Sequence, residues 1–306
     1  MSAENQARIR NGFSVDVEDY FHTEAMAGAV ARESWDTLPS RVEHNTHLIM
    51  EVLQRHKVRG TFFILGWIAD RFPHLLQELA CQGHELACHS YWHRPVYTLT
   101  HAEFKEDTLR SKCAIENAAG VRVRGYRAPT FSIVPATAWA LEILAELGFL
   151  YDSSTHPIRH DLYANPYGQR HPFVTSTGSL LEFPITTLQL LSHNFPFSGG
   201  GYFRILPYAY TKRALRHINT QEHMAAIFYI HPWEFDPEQP RFRTSVKSRI
   251  RQYTGLRATA PKLERLVRDF RFVPLGTLFD ERMKSSDTPS AVDLGRCTVT
   301  ESLGER

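Results

Sequence analysis

Short apolar runs alternate with segments whose apolar positions recur every three to four residues, and this alternation fills most of the chain. Gly12 to Val17 reads as a first strand. Ser40 with Glu43 offers a capping box, after which Val42, Thr46, Ile49 and Leu53 follow helical spacing. Thr61 to Leu65 is a continuous apolar strand, and the helical pattern through Leu75, Leu76 and Leu79 stops at Gly83. Glu85 to Cys88 is a third strand. Thr100 with Glu103 opens a helix to about Ala119, and Val121 to Tyr126 is a strand. Pro135 suits the first turn of a helix that ends at Gly148. Phe149 to Tyr151, Leu180 to Phe183, Ala226 to Ile230 and Arg271 to Pro274 read as further strands. The Pro-containing stretch from Thr155 to Gly178 reads as a long loop over a site or surface.

Repeated strand–helix alternation predicts parallel strands joined by crossover helices, either a (β/α) barrel or an open doubly wound sheet. The polar residues decide between them. Asp16, Glu18 and Asp19 end the first strand, His89 follows the third, Arg127 the fourth, Asp152 the fifth, and His231 the strand ending at Ile230. Side chains from so many strand ends converge only where the carboxyl ends share one rim, as in a barrel. No Gly-rich phosphate motif follows a strand, and Gly199-Gly200-Gly201 reads as a tight turn.

Composition changes little in this picture. With 306 residues the chain can bury a large core, and 42% hydrophobic with 22% charged residues is ordinary for a globular protein. A net charge of +2 gives no electrostatic footprint for nucleic acid. Arg241, Arg243, Lys247, Arg249 and Arg251 form one basic run, read as a solvated helix face. Cys81, Cys88, Cys113 and Cys297 lack metal or disulfide spacing, and Met1 to Asn11 lacks an apolar leader, so a cytoplasmic protein with reduced thiols is expected. No run is apolar enough to span a membrane. Met283 to Arg306 is polar and aperiodic and reads as a mobile tail.

His89-Ser90-Tyr91-Trp92-His93 carries the chemistry. Two histidines four residues apart can aim neutral imidazoles at one cation, and a carboxylate from elsewhere completes a triad with positions open to water. In an extended strand Asp16 and Glu18 share a face, with Asp19 turned away unless the strand has already bent. One acid is then a ligand and another a base. Arg127 would fix a neighbouring carboxylate, and His231 occupies a half-buried position suited to a general acid. Asp152 and Glu234 are candidate orienters of the His231 ring. Tyr91, Trp92, Tyr202, Phe203 and Trp233 are candidate stacking platforms for sugar rings, or core.

The His-Ser-x-x-His motif, the preceding acid cluster, the strand-end Arg127-Ala128-Pro129 and the late His231 resemble the polysaccharide deacetylases of carbohydrate esterase family 4, the NodB-homology domain. Ser14 to His22, Gly200-Gly201-Tyr202-Phe203-Arg204 and His231-Pro232-Trp233-Glu234 look like the branch associated with exopolysaccharide and exosortase loci. The resemblance implies a distorted (β/α) barrel of about seven parallel strands over residues 12–280, with 195–280 as a family-specific C-terminal part. It implies removal of N-acetyl groups from N-acetylhexosamine units by one divalent metal: Zn²⁺, with Co²⁺ or Ni²⁺ as alternatives. The partners implied are an N-acetylated polysaccharide or oligosaccharide and the exopolysaccharide assembly machinery. His89 and His93 would be metal ligands, Arg127 would hold the base, and His231 would be the acid. Most of the family has two adjacent aspartates where this chain has Asp-Val-Glu-Asp. Asp16 is then the base with Glu18 as ligand, or Glu18 is the base with Asp19 as ligand; strand geometry favours the first. A small-amide, allantoinase-like hydrolase and a non-catalytic glycan-binding member are the alternatives, and the paired histidines and complete acid set weigh against both.

Overall fold

The computed structural model describes residues 9–162, 165 and 168–285. Its sheet is built on β1 (Asn11–Val17), β2 (Thr61–Ile64), β3 (Glu85–Cys88), β4 (Gly125–Tyr126), β5 (Tyr151–Asp152), β6 (Phe173–Val174) and β7 (Leu181–Glu182). A separate hairpin of β8 (Thr187–Leu190) and β9 (His193–Pro196) precedes β10 (Ile227–Ile230) and β11 (Phe272–Val273). The sheet runs β10-β1-β2-β3-β4-β5-β7-β6, with β11 beside β1. Every pairing from β10 through β7 is parallel, and only β6 is antiparallel.

The two ends of this sheet meet imperfectly. Thr186 Oγ1 accepts the Ile227 N–H at 2.8 Å, and Ser198 O accepts the Tyr229 N–H at 3.0 Å, so side chain and loop backbone bridge β7 to β10. The result is the distorted barrel that the strand-end chemistry predicts.

Period-two alternation assigns the faces. Phe13, Val15 and Val17 of β1 pack outward into the larger core, under α1 (Val42–Arg55), α2 (Gly66–Arg71), α3 (Pro73–Cys81) and α4 (His101–Ala119). Phe63, Ala87, Tyr151, Phe183, Ile227 and Tyr229 fill a second core inside the barrel. Leu275 and Leu278, from the C-terminal helix Leu275–Ser285, join that inner core. Gly12 faces these two leucines, and a Cβ there would lie 3.1 and 3.2 Å from their methyl groups.

Several local expectations change. The Thr100–Glu103 capping box forms, but Ser40 and Glu43 do not make one; the Ser40 hydroxyl goes instead to Asp19 at 2.6 Å. The helical pattern through Leu75 to Leu79 belongs to α3, which is separated from α2 because Phe72 precedes Pro73 and leaves the helical region. Val121 to Tyr126 pairs only at Gly125–Tyr126, since the Val123 N–H is taken by the Glu116 side chain. Pro135 starts a short 3-10 turn before α5 (Ala140–Glu146). The triple glycine is no simple turn. Gly200 starts α6 (Gly200–Ile205), and Gly199 passes so close to Tyr229 O that a Cβ would sit 2.1 Å away. Thr155–Gly178 contains β6 and is otherwise irregular where described; of the tail expected from Met283, residues 283–285 instead end the C-terminal helix, and the rest lies outside the described residues. No helix among the described residues is long and apolar enough to cross a membrane.

Candidate active site

Asp16 and Glu18 leave the carboxyl end of β1 on the inner face, as the alternation requires. Glu18 Oε1 lies 3.1 Å from His89 Nε2 and 3.0 Å from His93 Nε2, all three side chains being buried. His93 reaches this point through a tight loop rather than a helical turn. Ser90 and His93 both take left-handed backbone angles, with φ of 64° and 52°. Asp107 of α4 accepts the Tyr91 and Trp92 amides, and the Ser90 hydroxyl accepts the His93 amide. The backbone around the motif is thus held from outside the barrel.

The second nitrogen of His89 decides the chemistry of the cluster. Nδ1 lies 2.7 Å from the Arg127 carbonyl, which can only accept, so Nδ1 carries the proton. In a neutral ring Nε2 is then a lone pair, and it faces a Glu18 oxygen at 3.1 Å. Two lone-pair donors at that distance repel unless a cation lies between them. Bonds of ~2 Å to one Zn²⁺ would separate its ligand atoms by about 3 Å, so the donor set fits a divalent metal. The carbonyl that fixes the tautomer is the outer support such ligands use.

Asp16 is held differently. Arg127, with no exposed surface, gives Nη1 to Asp16 Oδ1 at 2.6 Å and to Ser14 Oγ at 2.8 Å. Its other nitrogens go to Ser153 O and Oγ. Across the opening, His231 Nε2 lies 3.9 Å from Asp16 Oδ2 and 4.0 Å from Glu18 Oε1. Its Nδ1 lies 3.2 Å from Glu234 Oε2, an ion contact rather than a well-directed hydrogen bond. Burial alone would lower the His231 pKa, but Glu234, Glu18 and Asp16 outweigh it and raise it to about 9. Burial would likewise raise the Glu18 carboxyl, yet the charges of His93 and His231 beside it hold it well below the usual range. A small cavity of about 130 Å³ opens between Asp16, Glu18, His89, His93, Thr130 and His231.

This constellation has known counterparts. Residues 30–151 match the family described as polysaccharide deacetylase, and residues 153–280 match a domain of unknown function, DUF3473. The chain carries a polysaccharide deacetylase domain followed by a DUF3473 region. A peptidoglycan-N-acetylglucosamine deacetylase of Bacillus cereus is 29% identical over 32% of this chain and 36% of its own length. A chitooligosaccharide deacetylase of Sinorhizobium fredii is 31% identical over 36% of this chain and 53% of its own. The chain thus spans roughly a third to a half of these relatives. A Mycobacterium smegmatis structure, described as a candidate polysaccharide deacetylase, shares the fold at a TM-score of 0.63 and 21% identity, covering 97% of this chain and 98% of that one.

Within this deacetylase fold the two matched regions divide the site. The polysaccharide deacetylase match contains His89, His93 and Arg127, and the DUF3473 match contains His231 and Glu234. Asp16 and Glu18 precede both. Asp19 does not join them. Its carboxylate accepts from Ser40 Oγ at 2.6 Å, Arg41 N at 2.8 Å and Val42 N at 3.2 Å, so it caps α1 from a distance. The physical reason is the alternation itself, which sends residue 19 to the helix side once 16 and 18 face inward. Asp152 does not reach His231; it bonds Ser154 Oγ at 2.5 Å beside Glu182. Trp233 is buried, with His231 stacked 5.3 Å from its ring and the Arg204 guanidinium 4.9 Å from it. Phe203 and Tyr91 are core, and of the five aromatic candidates only Tyr202 and Trp233 line the cavity beside the site.

Sequence reasoning missed Arg204 as a site residue. Its Nε lies 2.6 Å from Glu234 Oε1, both groups buried, so an arginine on α6 holds the carboxylate that faces His231. With His231 and Arg204 beside it, Glu234 stays ionised despite burial. The signal was there in Gly200-Gly201-Tyr202-Phe203-Arg204, but nothing in the chain tells which distant acid that arginine meets. Ser14, Ser153 and Asp107 were equally invisible as supports.

Proposed function

We propose that this protein is a metal-dependent hydrolase that removes N-acetyl groups from N-acetylhexosamine units of a bacterial polysaccharide or its precursor. The observation that carries the reading is the meeting of His89, His93 and Glu18, with ligand atoms about 3 Å apart and the His89 tautomer fixed by a carbonyl. A divalent metal held by these three, Zn²⁺ first among candidates, would supply Lewis acidity and a water that ionises near neutral pH. Asp16, with Oδ1 engaged by Arg127, keeps Oδ2 toward the cavity to take the proton of the attacking water. Arg127 holds that carboxylate in place and leaves its second oxygen aimed at the cavity. His231 Nε2 stands across the opening and donates a proton to the departing amine, without which an amide C–N bond does not break. The Arg127, Ala128 and Phe131 amides are spent on Cys88 O, Ser154 Oγ and Ala128 O. That leaves Thr130, in the cavity wall at a φ of 57°, as the amide to face a developing oxyanion.

The words Ser14 to His22 and Gly200 to Arg204 support placing the glycan with exopolysaccharide assembly. We read residues 12–280 as one catalytic unit, because strands from both matched regions share one sheet and one site. The test is elemental analysis of the purified chain together with acetate release from N-acetylglucosamine oligomers. Metal bound near one equivalent, and loss of both metal and acetate release in His89→Ala, is the expected result. Acetate release that survives complete removal of metal would sink the proposal.

A further inference from the structure

Outside the site, one stretch combines two properties that seldom coincide on a surface. From Gln239 to Leu263 the chain carries Arg241, Arg243, Lys247, Arg249, Arg251, Arg257 and Lys262 and no acidic residue. Within it, after α7 (Tyr208–Thr220), helix α8 (Val246–Tyr253) exposes apolar side chains one turn apart, Val246 at 70% and Ile250 at 54%. Lys247 and Arg251 share the single carboxylate of Asp161, which offsets one of their two charges. Arg243 and Arg249 have no ion-pair partner among the described residues, and Arg249 falls between the two apolar positions on the same side of the helix.

A second apolar feature flanks the same ground. The β8–β9 hairpin turns at Leu191 and Ser192, with φ of 48° and 64°, and leaves Leu191 95% exposed. Asn194 ties that hairpin to Pro157 O, while Asp161, four residues on, holds α8. Hairpin and helix thus border one segment. Arg251, with Ile205 at the end of α6, also lines a cavity of about 300 Å³ that shares Thr23, Glu24, Tyr229 and Trp233 with the reaction cavity.

We propose that α8 and its basic flanks dock this protein on an anionic phospholipid surface, with the mouth of the site beside the bilayer. Unpaired arginines match anionic headgroups, and Val246, Ile250 and Leu191 enter the headgroup boundary. A polyanionic glycan would use the arginines but has no use for bare valine, isoleucine and leucine. The docking surface stands whether or not the site deacetylates sugars.

Vesicle flotation with the full chain tests it, using phosphatidylcholine with and without phosphatidylglycerol. The wild type is expected to float with the anionic vesicles, and at least tenfold less with phosphatidylcholine alone or in 1 M salt, where the screening length is ~3 Å. At ~1 kcal/mol for each basic residue near such a surface, Arg243→Gln with Arg249→Gln lowers the partition coefficient about 25-fold. Val246→Ser with Ile250→Ser lowers it about tenfold. Circular dichroism melting of both variants checks that the fold is kept. Equal flotation with both vesicle types, or none with either, overturns the proposal. So does full binding by the serine variant alongside loss in the glutamine variant, which would assign the arginines to a polyanion instead.

Discussion

Replacing Glu234 by Gln separates electrostatic tuning of His231 from simple support of its loop. Gln keeps the side chain's shape and one oxygen, which can serve either the His231 amide, now on Oε2, or the Arg204 guanidinium, now on Oε1, and it removes the charge 3.2 Å from Nδ1. A rise of the imidazole from 6.5 to about 9 corresponds to about 3 kcal/mol in favour of the imidazolium. Three carboxylates share that stabilisation against burial, and Glu234 contributes most among them. Losing it therefore costs at least about a third, or ~1 kcal/mol, which is roughly five- to tenfold in proton affinity. Glu234 acts from the Nδ1 side, away from Glu18, so a metal on Glu18 does not erase its effect. His231 must be protonated to donate, so activity falls as pH rises through its pKa. The pH profile of kcat/KM for acetate release is expected to show that alkaline limb in the wild type and to move it about one pH unit toward acid in Glu234→Gln. A variant slower at every pH with an unmoved limb would refute the argument and leave Glu234 a purely structural residue. A limb that persists in His231→Ala would remove His231 from the acid role.

Other outcomes follow from the same geometry. His93→Ala, like His89→Ala, is expected to lose bound metal by elemental analysis, with acetate release falling at least a hundredfold; metal retained at full stoichiometry would contradict the three-ligand cluster. Arg127→Met strands the buried Asp16 carboxylate and should cost about 3–5 kcal/mol in urea unfolding, whereas Arg127→Met with Asp16→Asn should recover much of that loss. Asp19→Ala removes the acceptor for Ser40, Arg41 and Val42 and should destabilise the fold by about 1–2 kcal/mol with metal content unchanged. Metal loss in that variant, with the fold intact, would return Asp19 to the ligand set. Arg204→Met is expected to lower kcat more than KM by loosening Glu234, and a change in KM alone would count against a role through His231.

The barrel was legible because its strands are short, fully buried and punctuated by glycine and capping residues, and Glu85 to Cys88 falls where the apolar run places it. The β8–β9 hairpin was not. His193, Asn194 and Pro196 give no strand pattern, and local cross-strand pairing rather than burial holds them extended. Val121 to Tyr126 read too long for the opposite reason: its apolar residues are real core, but a side chain from the preceding helix takes the ladder donor.

What the chain determines alone is which residue types stand at which strand end, and on which face. That follows from a repeat of two and from parallel strands sharing a rim, and it suffices to bring Asp16, Glu18, His89, His93, Arg127 and His231 to one opening. Only the folded molecule separates the roles of the three N-terminal acids. Glu18 meets two imidazoles, Asp16 meets a buried guanidinium, and Asp19 meets the bare amides of α1. Those partners lie from 21 to 111 residues away in the chain, and a carboxylate's function is set by what neutralises it, not by its neighbours in sequence.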